Sequence, residues 1–100
     1  MITITQSISG TYLSSNVPDV EFSIGGNRAM VTMTVDDEQV YQEYLYPLAG
    51  VVTLAELDRL LTPYAKKRLK VKLKIQIAEQ DADNETIMPT KSMEADIIYS

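Results

Sequence analysis

Apolar and polar residues alternate with a period of two along most of this chain, the pattern of strands with one buried face. Ile2, Ile4 and Ile8 fall on one side, with Thr3, Thr5 and Ser7 on the other. Gly10 to Pro18 is rich in Ser, Asn and Pro and predicts a loop. Val20, Phe22 and Ile24 alternate with Glu21 and Ser23, and Gly25-Gly26-Asn27 follows as a hairpin signal. Ala29, Val31, Met33 and Val35 form the apolar side of a third strand, with Thr32 and Thr34 opposite. Asp36-Asp37-Glu38 predicts a polar turn, and a fourth strand runs from Gln39 to about Tyr46, where Pro47 ends it.

The period then changes. Thr53 and Glu56 have capping-box spacing, Val52 and Leu57 stand where a hydrophobic staple would place them, and Leu54, Leu57, Leu60 and Leu61 recur at helical intervals. This predicts one short helix over about 54–62, stopped by Pro63. Such a helix is too short to persist alone in water and must dock its leucines on a sheet. Alternation returns most clearly over 67–78, where Leu69, Val71, Leu73, Ile75 and Ile77 interleave with Lys70, Lys72, Lys74 and Gln76. Residues 80–85 read as an acidic turn and 86–90 as a short edge piece, demoted by Pro89. Met93, Ala95, Ile97 and Tyr99 form a last apolar face.

Six or seven short strands with a single crossover helix predict a mainly β domain: an antiparallel β-sandwich of immunoglobulin- or fibronectin-like type spanning residues 1–100. Because a strand reaches the final residues, the chain is expected to be a domain of a longer protein. Leu61-x-Pro63 before a long alternating strand resembles the corner that enters strand F of fibronectin type III domains. In that family a Tyr about four residues after the Pro makes the corner hydrogen bond. Here Lys67 stands at that place, Tyr64 comes earlier, and the family's strand-B tryptophan is absent. The resemblance implies a sandwich with a helical crossover between its sheets.

Composition narrows the chemistry. The 100 residues include no Cys, His or Trp. Disulfides, Cys- or His-ligated metals and nucleophiles activated by imidazole are therefore excluded. There is no Ser-x-x-Lys spacing and no Gly-rich phosphate loop between a strand and a helix, so the chain is read as non-enzymatic, with no cofactor. No basic, apolar leader opens the chain given. The longest uncharged central stretch, Tyr44 to Ala55, is well short of the roughly 20 residues of a membrane span. These features predict a soluble, cytoplasmic or virion protein with no membrane partner.

The net charge of −5 is unevenly distributed: −7 over residues 1–58, +7 over 59–74 and −5 over 75–100. A ladder of Lys70, Lys72 and Lys74 suggests phosphate binding, but no aromatic side chain interleaves with it to stack bases. If the strand beginning near 69 pairs antiparallel with the last strand about a turn near Asn84, Lys72 faces Asp96 and Lys74 faces Glu94. Such cross-strand pairs stabilise a sheet by roughly 0.2–1 kcal/mol each. The stripe is then structural, and no nucleic-acid partner is expected. Asp81, Asp83 and Glu85 share the i, i+2, i+4 spacing of a calcium loop, but Ile87 and Ser92 occupy the places where that loop needs Gly and Glu, so no metal site is assigned.

Along 40–46 both sides of the strand carry apolar area: Val40, Tyr44 and Tyr46 on one, Tyr41 and Leu45 on the other. This implies burial on both sides through core or helix packing, or else a contact surface; with Tyr64 added, the candidate interaction surface is Tyr41, Leu45, Tyr46 and Tyr64, and an exposed Tyr41–Leu45 face would favour a partner. The expected function is a non-catalytic structural or protein–protein interaction module. Its setting would be a larger assembly such as a phage virion or tail, or a surface protein, with other chains or copies of itself as partners. The alternative is a small-ligand or carbohydrate-binding module. A tyrosine-lined groove would favour the alternative; a flat apolar patch or an unpaired strand edge would favour assembly.

Overall fold

The computed structural model describes residues 1–65 and 68–99. Eight strands lie among them: β1 (Thr3–Gln6), β2 (Thr11–Leu13), β3 (Val20–Ser23), β4 (Arg28–Val35), β5 (Glu38–Leu45), β6 (Val51–Leu54), β7 (Lys70–Gln80) and β8 (Thr86–Ile98). One short helix, α1 (Leu57–Leu61), precedes β7. The fold is mainly β and consists of two sheets. The smaller has the order β1-β3-β6 and the larger β2-β8-β7-β4-β5.

The alternating residues of both sheets meet between them. Val20, Phe22, Ile24, Val52 and Leu54 come from the smaller sheet. The β4 series Ala29, Val31, Met33 and Val35 and the β7 series Val71, Leu73, Ile75 and Ile77 line the larger one, joined by Met93, Ala95 and Ile97 of β8. Leu57 and Leu61 of α1 are fully buried in the same core. The helix thus docks its leucines as its length demands, and it crosses from one sheet to the other.

Register follows the charges. β7 and β8 pair antiparallel with Lys72 opposite Asp96 and Lys74 opposite Glu94, the arrangement expected from the sequence. The reason is geometric: a one-residue slip would turn the lysines into the core.

Several expectations are corrected. The helix does not span 54–62. Residues 51–54 form β6, whose β-branched Val52 and inward Leu54 pair with Phe22 and Val20 of β3. Glu56 then adopts a left-handed conformation (φ 59°), so the helix begins only at Leu57 and the Thr53/Glu56 capping box does not form. Glu56 donates its backbone N–H to Asp19 Oδ1 (3.2 Å) and pairs its carboxylate with Arg59 (3.1 Å). The strands number eight, not six or seven. The predicted loop holds β2, and residues 86–90 belong to one strand with 91–98. The pairing is not wholly antiparallel, because β2 runs parallel to β8. Lys67, compared above with a corner tyrosine, and Lys66 of the basic segment lie outside the described residues, as does Ser100.

Gly25-Gly26-Asn27 is a corner, not a hairpin, since β3 and β4 belong to different sheets. The chain passes against the end of β7, where Asn27 donates its N–H to the Gln80 carbonyl (2.7 Å). A Cβ on Gly26 would lie 2.6 Å from that same carbonyl oxygen. Glycine is required here by close approach of two backbones. Gly26→Ala is expected to destabilise the fold by about 1–3 kcal/mol through overpacking. Urea denaturation should show a lower midpoint with an unchanged slope; an unaltered midpoint would refute this account of the corner.

Candidate functional site

The Lys ladder, the first candidate, lies on the outer face of the larger sheet. Lys70 Nζ sits 3.7 Å from Asp96 Oδ2, diagonal to the register, and both side chains are substantially solvated. Two open depressions lie beside the lysines on this face. One is lined by Gly10, Lys72, Glu94, Ala95 and Asp96, the other by Ile8, Ser9, Lys74, Ser92, Met93 and Glu94. Each places lysine beside carboxylate, and neither contains a tyrosine. At the β7–β8 turn, Asp81 Oδ1 accepts the backbone N–H groups of Asp83 (2.9 Å) and Glu85 (3.1 Å). This carboxylate shapes the turn. Among the described residues no three acidic side chains converge as metal ligands would.

At one end of the molecule, Asp36 and Asp37 form the tight β4–β5 turn with φ values of 49° and 69°. The Asp36 carboxylate accepts the Lys72 N–H (2.8 Å) through Oδ1 and pairs with Arg68 (3.0 Å) through Oδ2. Arg68 also reaches Glu38 (3.8 Å), and its guanidinium lies over the Tyr64 ring, 5.3 Å from the centroid. Next to this group Tyr99 donates its buried hydroxyl to the Leu61 carbonyl (2.8 Å). Burial raises the Tyr99 pKa, with Tyr64 and Asp36 adding to the effect and Arg68 opposing it. A tyrosine therefore does fasten the helix that enters β7, but it comes from the last strand's end.

At the opposite end, the Glu79 side chain is 1% exposed. Its Oε2 accepts the Gly26 N–H (2.9 Å), and its Oε1 lies 2.6 Å from the α-amino group of Met1. Burial alone would raise this carboxyl's pKa. The ammonium and the N–H groups of Gly26 and Gly25 outweigh it, and the net shift is downward. The carboxylate ties β1, the glycine corner and β7 together.

The four candidate surface residues do not form one patch. Tyr41 and Leu45 are half-buried along β5 and pack against the core, while Tyr46 lies exposed just beyond the strand. Tyr64 is half-buried beneath Arg68, beside the Asp36 turn at the other end of β5. Burial, and then the charge of Glu43, raise the Tyr41 pKa.

Other large apolar side chains near Tyr46 in the chain are exposed. Tyr44, Tyr46, Leu48 and Val51 are 41%, 64%, 86% and 43% exposed. Arg28 covers one face of Tyr44 at 3.8 Å and is held by Gln80 (2.8 Å). Leu48 and Val51 exchange backbone hydrogen bonds of 3.0 and 3.1 Å around Ala49 and Gly50, both left-handed (φ 54° and 82°). The turn is anchored by the Ile24 N–H to the Gly50 carbonyl (3.0 Å). These bonds hold Leu48 and Val51 at the rim where the two sheets are joined, while Tyr44, opposite Met30, belongs to the outer face of the larger sheet and Val51, opposite Ser23, to that of the smaller. The sequence signal for the rim was Pro47 and Gly50 bracketing Leu48, a turn with an apolar tip.

No helix among the described residues is long and apolar enough to cross a membrane. No protein-family model matches the chain, and neither does any curated protein or solved structure.

Two outcomes follow for the fastened ends. The lowered Glu79 pKa means that its stabilisation is complete above the unfolded-state value, near 4.3, and is lost as pH falls through the folded-state value. Stability measured against pH should decline in acid, and Glu79→Gln should be less stable at neutrality with a shallower acid decline. An identical acid profile would exclude this role. Tyr99→Phe should cost about 0.5–1.5 kcal/mol, because it removes the hydroxyl's bond to the Leu61 carbonyl. A cost near zero in chemical denaturation would show that this bond is dispensable.

Proposed function

We propose that this chain is a non-catalytic contact module, an immunoglobulin-like β-sandwich that joins a larger assembly through the rim at Tyr44, Tyr46, Leu48 and Val51. The observation that carries the reading is that rim. Four large apolar side chains stand exposed within eight residues, from the end of β5 through the hydrogen-bonded turn that follows it. Scattered exposed apolar residues need no explanation, but a run of four in one short segment supports a contact surface.

The strand order supports the immunoglobulin-like part of the proposal. In that sandwich's lettering, β1-β3-β6 corresponds to A-B-E and β8-β7-β4-β5 to G-F-C-C′. β2, parallel to β8, then acts as the second half of a first strand divided between the sheets. The chain lacks the family's cysteine pair and core tryptophan. Phenylalanine and aliphatic packing fill the space between the sheets instead. Virion, phage-tail and surface assemblies are the settings that suit such a module. The ligand-binding alternative draws less support, since the depressions beside the lysines are open and charge-lined and the one over Met30, Thr32, Gln76 and Ala78 is open and contains no tyrosine.

Hydroxyl-radical footprinting of the isolated chain and of the chain within material from its native source tests the reading. Tyr44, Tyr46 and Leu48 should be labelled freely in isolation and protected in the assembly. Equal labelling in the two states would overturn the proposal.

A further inference from the structure

We propose that the open edge of β5 accepts an extended strand from a partner protein, and that the partner segment places a basic residue between two apolar ones at alternate positions. This rests on the contact-module reading and names its partner chemistry.

The larger sheet ends at β5, which hydrogen-bonds β4 on one side and has no strand on the other among the described residues. A row of backbone N–H and C=O groups is therefore open to pairing. The other open edges are poor templates. β2, β1 and β6 are only three or four residues long, and β1 is interrupted by a register shift. The part of β8 beyond β2 contains Pro89, which has no N–H to offer, and a further irregularity opposite Ala78. β5 has one irregularity near Val40, after which Tyr41 to Leu45 pair without a break to Met33 through Ala29. That uninterrupted run is about 17 Å long at roughly 3.4 Å per residue.

Side-chain placement then specifies the occupant. Tyr41, Glu43 and Leu45 pair with Met33, Val31 and Ala29, whose side chains are all buried between the sheets, so the three share the inward face. Tyr41 and Leu45 are only half-buried there and Glu43 is exposed, so this face is incompletely covered. The charge of Glu43 is felt by Tyr41 beside it. Glu43 takes part in no ion pair among the described residues. The acidic turn Asp36-Asp37 and Glu38 precede it, and β5 itself contains no base. A strand added here would set an apolar side chain against Tyr41, a Lys or Arg against Glu43 and an apolar side chain against Leu45. Opposite-charge and apolar neighbours across a sheet are each favourable. The apolar–basic–apolar pattern reads the same in both directions, so it holds for parallel and antiparallel addition. A second copy of this chain fits less well, because β5 contains no base of its own and would set one Glu43 edge against another.

The test uses three synthetic peptides and the full chain. The first has the core Val-Thr-Lys-Thr-Val, the second Val-Thr-Glu-Thr-Val, and the third is the lysine peptide N-methylated along its pairing edge. Binding is read by two-dimensional NMR titration of the labelled chain at low salt. The lysine peptide should shift the amides of Gln42 to Leu45 and bind roughly fivefold or more tightly than the glutamate peptide. N-methylation should abolish binding, and Glu43→Lys should invert the charge preference. Equal affinity of the lysine and glutamate peptides, or shifts confined to other surfaces, would overturn the proposal. So would concentration-dependent pairing of β5 with itself, which would make a second copy the occupant. Rim protection in the native assembly without peptide selectivity would remove strand addition and leave the contact reading standing. Peptide selectivity without rim protection would do the reverse.

Discussion

Strand β7 is paired along most of its length on both sides, with β4 through eight positions and with β8 through ten. Its inward residues Val71, Leu73, Ile75 and Ile77 must match the apolar faces of both neighbours at once, while Lys70, Lys72 and Lys74 stay outside. No shift by one residue is tolerable, because it would bury lysines. With β7 fixed, much else is placed. Glu94 and Asp96 come to face lysines, and the turn beyond β4 arrives beside the start of β7. Two carboxylates then tie the strand's ends. Asp36 accepts the Lys72 N–H at one end, and Glu79 accepts the Gly26 N–H at the other. Each acid joins a backbone donor to a cation: Asp36 also pairs with Arg68, and Glu79 with the Met1 ammonium.

This central constraint was legible in the sequence. A strict alternation of apolar and charged residues, followed by a turn and a second alternation with opposite charges, leaves one register that satisfies both patterns. The region around 51–61 was less legible because its leucines and valines fit two periods. Val52 and Leu54 suit a strand, while Leu54, Leu57 and Leu61 suit a helix. The choice was made by tertiary contacts: β3 offers Val20 and Phe22 as partners, and Asp19 captures the Glu56 N–H. The glycine corner was misread for a related reason. Turn chemistry shows that the chain changes direction, but the sheet it enters next depends on Gln80, more than fifty residues away. The anchoring hydroxyl of Tyr99 carries no local signal at all, since its acceptor is a backbone carbonyl in the helix.

The proposed contact surface was half visible. Apolar residues on both sides of 40–46 set that segment apart, since a solvated edge strand ordinarily shows one polar face. Its cause is the unequal width of the two sheets. Three strands face five, so the inward side of β5 is incompletely covered, and Tyr41 and Leu45 are only half-buried. Leu48 and Val51 escaped notice because their exposure follows from the turn at Ala49 and Gly50. Tyr64, grouped with them by residue type, is drawn to the far end by Arg68 and Asp36.

Exposed strand edges are hazards, and this protein blunts most of its own by shortness, irregularity or proline. At β5 the protection is of a different kind. Glu43 stands there without an ion pair among the described residues, with Asp37 nearby and Asp36 and Glu38 shared with Arg68, in a chain of net charge −5. Two copies approaching through this edge would bring like charges together, which is unfavourable across paired strands. Charge of one sign repels only its like. In the proposed strand addition, the same acids that discourage self-pairing leave the backbone groups of β5 available to a strand carrying bases, so discrimination would come from repulsion of the wrong partner as well as attraction of the right one. Proline or a long bulge across Tyr41–Leu45 would have closed the edge to every strand; acidic residues close it selectively.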